Sequence, residues 1–239
     1  MDDWRYRAAQ DLHLKPAERR RSLKRENTLL EVCSQRLWRL AVLGYLRTWH
    51  RLRVVGAENV PLELPFVLVA NHSSHLDALA LLAVLQSRHC GRVFPLAAGD
   101  YFFETAGLRA FATACMNALP LWRRSCGRHA LGELRTRLVE DGCGYILFPE
   151  GTRSRSGECG EFKAGLGMLV AGTGVPVVPC YLDGAFQALP AERKLPRPSR
   201  VTVHVGGSLC FATTGNDPDG WRQIAAATLE RVLALKGDR

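Results

Sequence analysis

Asn71-His72-Ser73-Ser74-His75-Leu76-Asp77 stands directly after an apolar run, Phe66-Val67-Leu68-Val69-Ala70. An imidazole takes a proton near neutral pH, and a carboxylate beside it fixes its tautomer and stabilises the imidazolium that forms. Without a nucleophile elbow, His72 and Asp77 read as a general-base unit that activates a hydroxyl on a substrate. Five positions turn a regular helix by about 140° from one side chain to the other, so the pair would not share a helix face. The spacing places His72 in a turn or at a helix start, with Asp77 in the first turns behind it. Asn71, Ser73 and Ser74 suit that turn, since each can cap an exposed backbone N–H. Capping does not explain His72 and Asp77 together. His75 offers a rival pattern, His72-x-x-His75-x-Asp77, of the kind that binds metal. No neighbouring His, Cys, Asp or Glu cluster completes a ligand set, and the spacing is not that of a familiar hydrolase signature.

A second constellation is Phe148-Pro149-Glu150-Gly151-Thr152-Arg153-Ser154, after the apolar Tyr145-Ile146-Leu147. A strand again ends in a polar turn, so two strand ends can converge on one crevice. Gly151 allows close backbone approach, Thr152 offers a hydroxyl, and Arg153 can grip a phosphate with two parallel hydrogen bonds. Lys163 downstream adds a second positive charge. Two further stretches are Leu119-Pro120-Leu121-Trp122-Arg123-Arg124 and the strand-like Val175-Pro176-Val177-Val178-Pro179. By itself the last is a buried strand.

Together and in this order, the four stretches resemble the glycerolipid acyltransferases of the PlsC type, the 1-acylglycerol-3-phosphate acyltransferases. The pattern N-H-x-S-x-x-D is met by Asn71, His72, Ser74 and Asp77. The pattern F-P-E-G-T-R-S is met by Phe148 through Ser154, and V-P-V-x-P by Val175 through Pro179. Arg123 aligns best with the arginine that ends the second block, although Trp122 stands where smaller or acidic residues are usual. The resemblance covers roughly residues 50–210. It implies transfer of a fatty acyl group from acyl-CoA or acyl carrier protein to a lysophospholipid hydroxyl, with 1-acylglycerol 3-phosphate the first acceptor to consider. Glycerol 3-phosphate and a lyso-aminolipid are the alternative acceptors, and a non-catalytic lipid-binding membrane adaptor is the alternative to an enzyme. His72 would be the base and Asp77 its orienter. Arg123, Arg153 and Lys163 would hold the acceptor phosphate, and Glu150, Gly151 and Thr152 would shape that pocket, with backbone N–H groups near Gly151 facing the oxyanion. No metal or redox cofactor and no nucleic acid is implied.

The elements that must position these groups are legible in outline. Of 239 residues, 47% are hydrophobic, enough for a sizeable core. Apolar runs predict strands at 66–70, 93–97, 144–148, 176–181 and 201–206. Helical patterns fall at 75–87, 101–116, 126–141, 163–173 and 220–236. Their alternation predicts an α/β layered acyltransferase domain, residues 52–239, with a mixed or largely parallel sheet flanked by helices. Residues 1–51 read as a basic N-terminal arm followed by an amphipathic helix at 28–51. On a helical wheel Leu37, Trp38, Ala41, Val42, Tyr45, Leu46 and Trp49 share one face and most of the arginines lie opposite. That pattern suits either a core-packing helix or an interfacial one with tryptophan at the lipid boundary.

The formal charge is +9, and residues 1–60 hold 13 Lys/Arg against 7 Asp/Glu. A basic surface of this kind meets nucleic acid, anionic lipid or an acidic protein. With a lipid acceptor, an anionic membrane surface is the expected partner. No run of 18 or more residues suits a lipid span, the best stretch being broken by Arg39 and Arg47. The opening Met1-Asp2-Asp3 has no apolar segment of a secretory signal behind it. Peripheral attachment to the cytoplasmic face of a membrane follows as the expectation. The eight cysteines form no CxxC pair and read as scattered free thiols in a reducing compartment.

Overall fold

In the computed structural model, residues 9–20, 22–99, 103–121, 128–193 and 195–237 are described. The chain runs through α1 (Pro16–Arg19), α2 (Leu29–Trp49), β1 (Arg53–Val55), β2 (Val67–Ala70), α3 (Asp77–Val84), β3 (Val93–Ala98) and α4 (Ala106–Ala114). It continues through β4 (Leu119–Leu121), α5 (Arg128–Glu140), β5 (Gly144–Leu147), α6 (Gly165–Val170), β6 (Val177–Asp183), α7 (Ala185–Ala188), β7 (Thr202–Val205) and α8 (Pro218–Ala234). Among the described residues the strands form one seven-stranded sheet in the order β1-β7-β6-β2-β5-β3-β4. All neighbours are parallel except β6 and β7. This is the α/β architecture with a largely parallel sheet that the alternation of elements predicts.

Why the central strands are uniformly apolar follows from their place. A parallel strand covered by helices on both faces needs apolar side chains in both directions. Phe66, Leu68, Ala70 and Ile146 face a core shared with Val42 and Leu46 of α2 and Ala80 and Leu81 of α3. Val67, Val69, Tyr145 and Leu147 face the other core, built with Leu134 and Leu138 of α5, Leu166 and Leu169 of α6, and Ile224 and Val232 of α8. β2 lies between β5 and β6, with Val69 opposite Leu147 and Pro179. Because β2 and β5 are parallel neighbours, their C-terminal turns emerge side by side.

α2 begins at a reciprocal cap. The Thr28 hydroxyl accepts from the Glu31 N–H at 3.3 Å, and the Glu31 carboxylate accepts from the Thr28 N–H at 2.8 Å. Trp38, which the interfacial reading would put at a lipid boundary and the core-packing reading against the domain, meets Phe111 edge-on at 5.2 Å. Val42 and Leu46 are buried against the sheet, while Leu29, Leu30, Leu37 and Leu40 are exposed. The helix is therefore both core-packing and apolar on its outer side. Ahead of it, residues expected as a charged arm or short helix form α1 and then fasten to the domain. Arg137 donates to the carbonyls of Leu23 and Arg25, and Arg25 is itself buried, donating to Asn117 at 2.9 Å.

Several elements differ from the sequence expectation. β4 was read only as a short apolar stretch before the arginines. It is an edge strand pairing with β3, which is where a strand can carry a proline such as Pro120. α6 is shorter than the expected 163–173, because Lys163 still belongs to the preceding turn and donates its N–H to Pro149. α4 takes up Ala106–Ala114 of the expected 101–116 helix, whose residues 101 and 102 lie outside the described residues. No described helix is long and apolar enough to cross a membrane.

Candidate active site

The turn after β2 is held from both sides. Asn71 reaches across to β6, its side chain accepting from the Leu182 N–H at 2.7 Å and donating to the Leu182 carbonyl at 3.1 Å. The Ser74 hydroxyl donates to the Leu189 carbonyl at 2.7 Å and accepts from the Leu76 N–H at 3.1 Å. Of the three expected caps, only Ser74 thus offers its side chain to a nearby backbone N–H. Asn71 is a cross-strand clamp, and Ser73 contributes its N–H.

Asp77 opens α3 and is fully buried. One of its oxygens, Oδ2, accepts from His72 Nδ1 at 2.8 Å, from the Ser73 N–H at 2.7 Å and from the Ser74 N–H at 2.8 Å. The other, Oδ1, is buried with no hydrogen-bond partner. Oδ2 thus meets two backbone N–H donors at the start of α3, as is usual for a side-chain acceptor at a helix N-terminus. Its acceptance of the His72 Nδ1 proton leaves Nε2 for chemistry. The His72 side chain remains 22% exposed and lines a cavity of about 360 Å³.

The turn after β5 grips the same histidine. The Glu150 Oε1 accepts from the His72 N–H at 2.7 Å, and the Ser154 N–H donates to the His72 carbonyl at 2.8 Å. Phe148 stacks on the imidazole, with centroids 4.1 Å apart and planes at 18°. The sequence reading used Phe148 as the first residue of the F-P-E-G-T-R-S pattern and gave it no contact with His72. An aromatic residue directly after a strand, in a turn that carries charge, was the available signal.

Arg153, Thr152 and Gly151 reach the cavity wall together with His72 and His75. Arg153 places Nη1 2.6 Å from His75 Nδ1. Burial first, and the Arg153 charge second, hold His75 below the ordinary imidazole value. Of the rival metal pattern, His72 is bonded to Asp77, and His75 lies against Arg153 and the Ala191 carbonyl. Among the described residues no group of three or more His, Cys, Asp and Glu is arranged to hold a metal ion. Gly151 has a φ of +74°, and a Cβ there would stand 2.7 Å from Lys163 Nζ. The left-handed φ is what calls for glycine in this turn, since the Lys163 ammonium ends a flexible side chain that could shift aside.

The Gly151 N–H donates to Phe148 O at 3.0 Å and closes its own turn. One expected role changes. Glu150, expected to shape the acceptor pocket, is 9% exposed and turns away from the cavity toward the backbone of His72 and Gly160. Lys163 is exposed and packs over Gly151, outside the cavity lining. Arg123 lies outside the described residues. The remaining cavity wall was not foreseen. It is apolar, with Pro95, Leu96 and Ala97 from β3, Phe111 and Ala112 from α4, and Met116 beyond it.

Comparison with known proteins agrees with this site. A family model described as Acyltransferase matches residues 51–183. A chloroplastic 1-acyl-sn-glycerol-3-phosphate acyltransferase of Brassica napus is 36% identical over 145 residues, covering 59% of this chain and 40% of that protein. The alpha form of the same enzyme from Mus musculus is 28% identical over 189 residues, covering 77% of this chain and 63% of that protein. The chain thus spans less than two thirds of either relative. The crystal structure of the 1-acyl-sn-glycerophosphate acyltransferase PlsC from Thermotoga maritima superposes with a TM-score of 0.63 at 26% identity, covering 84% of this chain and 82% of that one.

Proposed function

Because this chain belongs to the acyltransferase family, matched over more than half its length, we propose that it moves a fatty acyl group from a thioester to the hydroxyl of 1-acylglycerol 3-phosphate, giving phosphatidic acid. The observation that carries the reading is His72, fixed by Asp77 at 2.8 Å, at the mouth of an apolar cavity that also presents Arg153. A cavity of this size with few polar groups at one end suits a ligand that is mostly hydrocarbon.

In the proposed reaction the acceptor hydroxyl gives its proton to His72 Nε2 while its oxygen attacks the thioester carbonyl carbon. The imidazolium is stabilised by Asp77. The tetrahedral intermediate collapses with cleavage of the carbon–sulfur bond, and the leaving sulfur takes the proton from His72. An ester and a free thiol result, and the protein ends as it began. Arg153 holds the acceptor phosphate, and the acyl chain lies along Ala97, Phe111 and Met116. The donor is acyl-CoA or acyl carrier protein, and no step is routed through a metal or redox cofactor.

The protein attaches peripherally to the cytoplasmic face of an anionic membrane. Leu30, Leu37 and Leu40 lie along one exposed side of α2, with Arg36 and Arg47 exposed beside them. This is the arrangement of an interfacial helix. The test of the activity is thiol release by the purified full chain from each donor, with and without each acceptor and with and without a chelator. Acceptor-dependent release that survives chelation supports the reading, and release that needs no acceptor or stops on chelation refutes it.

A further inference from the structure

Glu150 is a buried carboxylate in the heart of the site that the proposed chemistry does not use. Its Oε1 accepts from the His72 N–H at 2.7 Å and its Oε2 from the Gly160 N–H at 3.0 Å. The Cys159 thiol lies 3.8 Å from Oε1. Burial, and then the Glu150 charge, push that thiol up to about 12, so it stays a donor. Each group facing Glu150 from these two turns offers a proton. Glu150 does not line the cavity, although its neighbours Phe148, Gly151, Thr152 and Arg153 do.

We propose that Glu150 is a positioning residue for His72 and makes no contact with the acceptor. The inference rests on the acyltransferase reading. Asp77 controls how the imidazole is rotated and which nitrogen carries the proton. It does not fix where the His72 backbone stands relative to Arg153, which arrives on a different strand. That task falls to the turn after β5, which holds the His72 N–H through Glu150 and the His72 carbonyl through the Ser154 N–H. The same turn supplies Arg153, so base and phosphate site share one frame. A carboxylate is the suitable side chain because it presents two acceptors and no donor. A glutamine would turn its NH₂ toward one of two backbone N–H groups that can only donate.

The test compares Glu150→Gln with the unmodified full chain. A loss of His72 placement is expected to lower kcat by roughly 100-fold, the scale of a 1 Å displacement, with the KM for 1-acylglycerol 3-phosphate within about twofold. A raised acceptor KM with kcat retained would instead put Glu150 on the substrate and overturn the proposal. A second measurement needs no variant. Both the His72 and Gly160 amide proton resonances should move together with pH in the unmodified chain. Their shared midpoint should lie above the usual carboxylate range, where burial holds the Glu150 carboxyl. Independent or flat titrations overturn the brace even if Glu150→Gln fails to fold. An unmodified chain without transferase activity sinks the underlying reading, while the amide titration still decides whether the brace exists.

Discussion

Replacing Asp77 by asparagine separates two things the carboxylate does. Its Oδ2 accepts from His72 Nδ1 and from the N–H groups of Ser73 and Ser74. Those two amides can only donate, so an asparagine must present its carbonyl oxygen at that place and its NH₂ at the other. The oxygen then still accepts from Nδ1, and the tautomer that leaves Nε2 as base is preserved. Only the negative charge is lost. A hydrogen bond to a charged group contributes about 1.5–3 kcal/mol, which at 1.36 kcal/mol per tenfold corresponds to a loss of roughly 10–150-fold in turnover. His72→Ala removes the base itself and should lose about 10²–10⁴-fold. The assay is initial thiol release at saturating donor and acceptor, with thermal melts to establish that both variants are folded. Asp77→Asn falling as low as His72→Ala would show that the amide is flipped and the two serine amides do not control it. Turnover near the parental rate in folded His72→Ala would remove His72 as the base.

Arg153→Ala should reduce acceptor use by about tenfold or more, and Arg153→Lys should restore only part of it, since lysine lacks the planar fork. In Arg153→Ala the His75 imidazole should titrate at higher pH, because the guanidinium is, after burial, the next cause holding it down; an unmoved His75 resonance would deny the contact. Leu37→Glu with Leu40→Glu, at positions 69% and 61% exposed, should weaken co-sedimentation with anionic liposomes and leave a cooperative melt. Unchanged binding would move the membrane contact elsewhere, for instance to the basic loop around Arg197 and Arg200. Arg25 is buried, with Nε and Nη1 lacking partners, and burial lowers its pKa to about 10. Arg25→Met should therefore melt no lower than the parent, whereas Arg25→Ala, which leaves a void, should lose about 2–4 kcal/mol by denaturant titration; a large loss in the methionine variant would mean that the charge itself is needed.

The central strands and the His72/Asp77 pair were legible because their signals are local. Val67–Ala70 and Gly144–Leu147 are apolar in both directions, as only a doubly covered strand is, and each is followed by a polar turn. The helix wheel found Val42 and Leu46 but grouped them with Leu37 and Trp49, which face outward. A hydrophobic pattern states that a face is apolar, and not whether protein or lipid covers it. The cavity wall was invisible for another reason. Ala97, Phe111 and Met116 come from three elements, carry no chemistry, and in sequence look like ordinary core. Glu150 was misplaced because its neighbours Gly151, Thr152 and Arg153 all face the cavity. The turn of chain that sends those three one way sends Glu150 the other, and composition does not encode that direction. Arg25 was read with the basic arm because charge is normally solvated. Its burial depends on Asn117, 92 residues away.

What joins the two turns into one site is the pairing register of β2 and β5. Val69 stands opposite Leu147, and His72 and Glu150 each follow their paired residue by three positions. Two parallel strands that leave the sheet level with each other, with equal spacers, bring residues at the same offset to the same height. The Glu150 side chain then needs only to span the inter-strand gap to reach the His72 N–H at 2.7 Å. Register in a sheet covered on both faces is strongly specified, since a slip of one residue would exchange the two buried sets. The alternation of Val67 and Val69 toward one core and Leu68 and Ala70 toward the other therefore does more than stabilise the strand. It fixes the height at which the base is delivered beside the arginine, and so couples the packing of the core to the geometry of proton transfer.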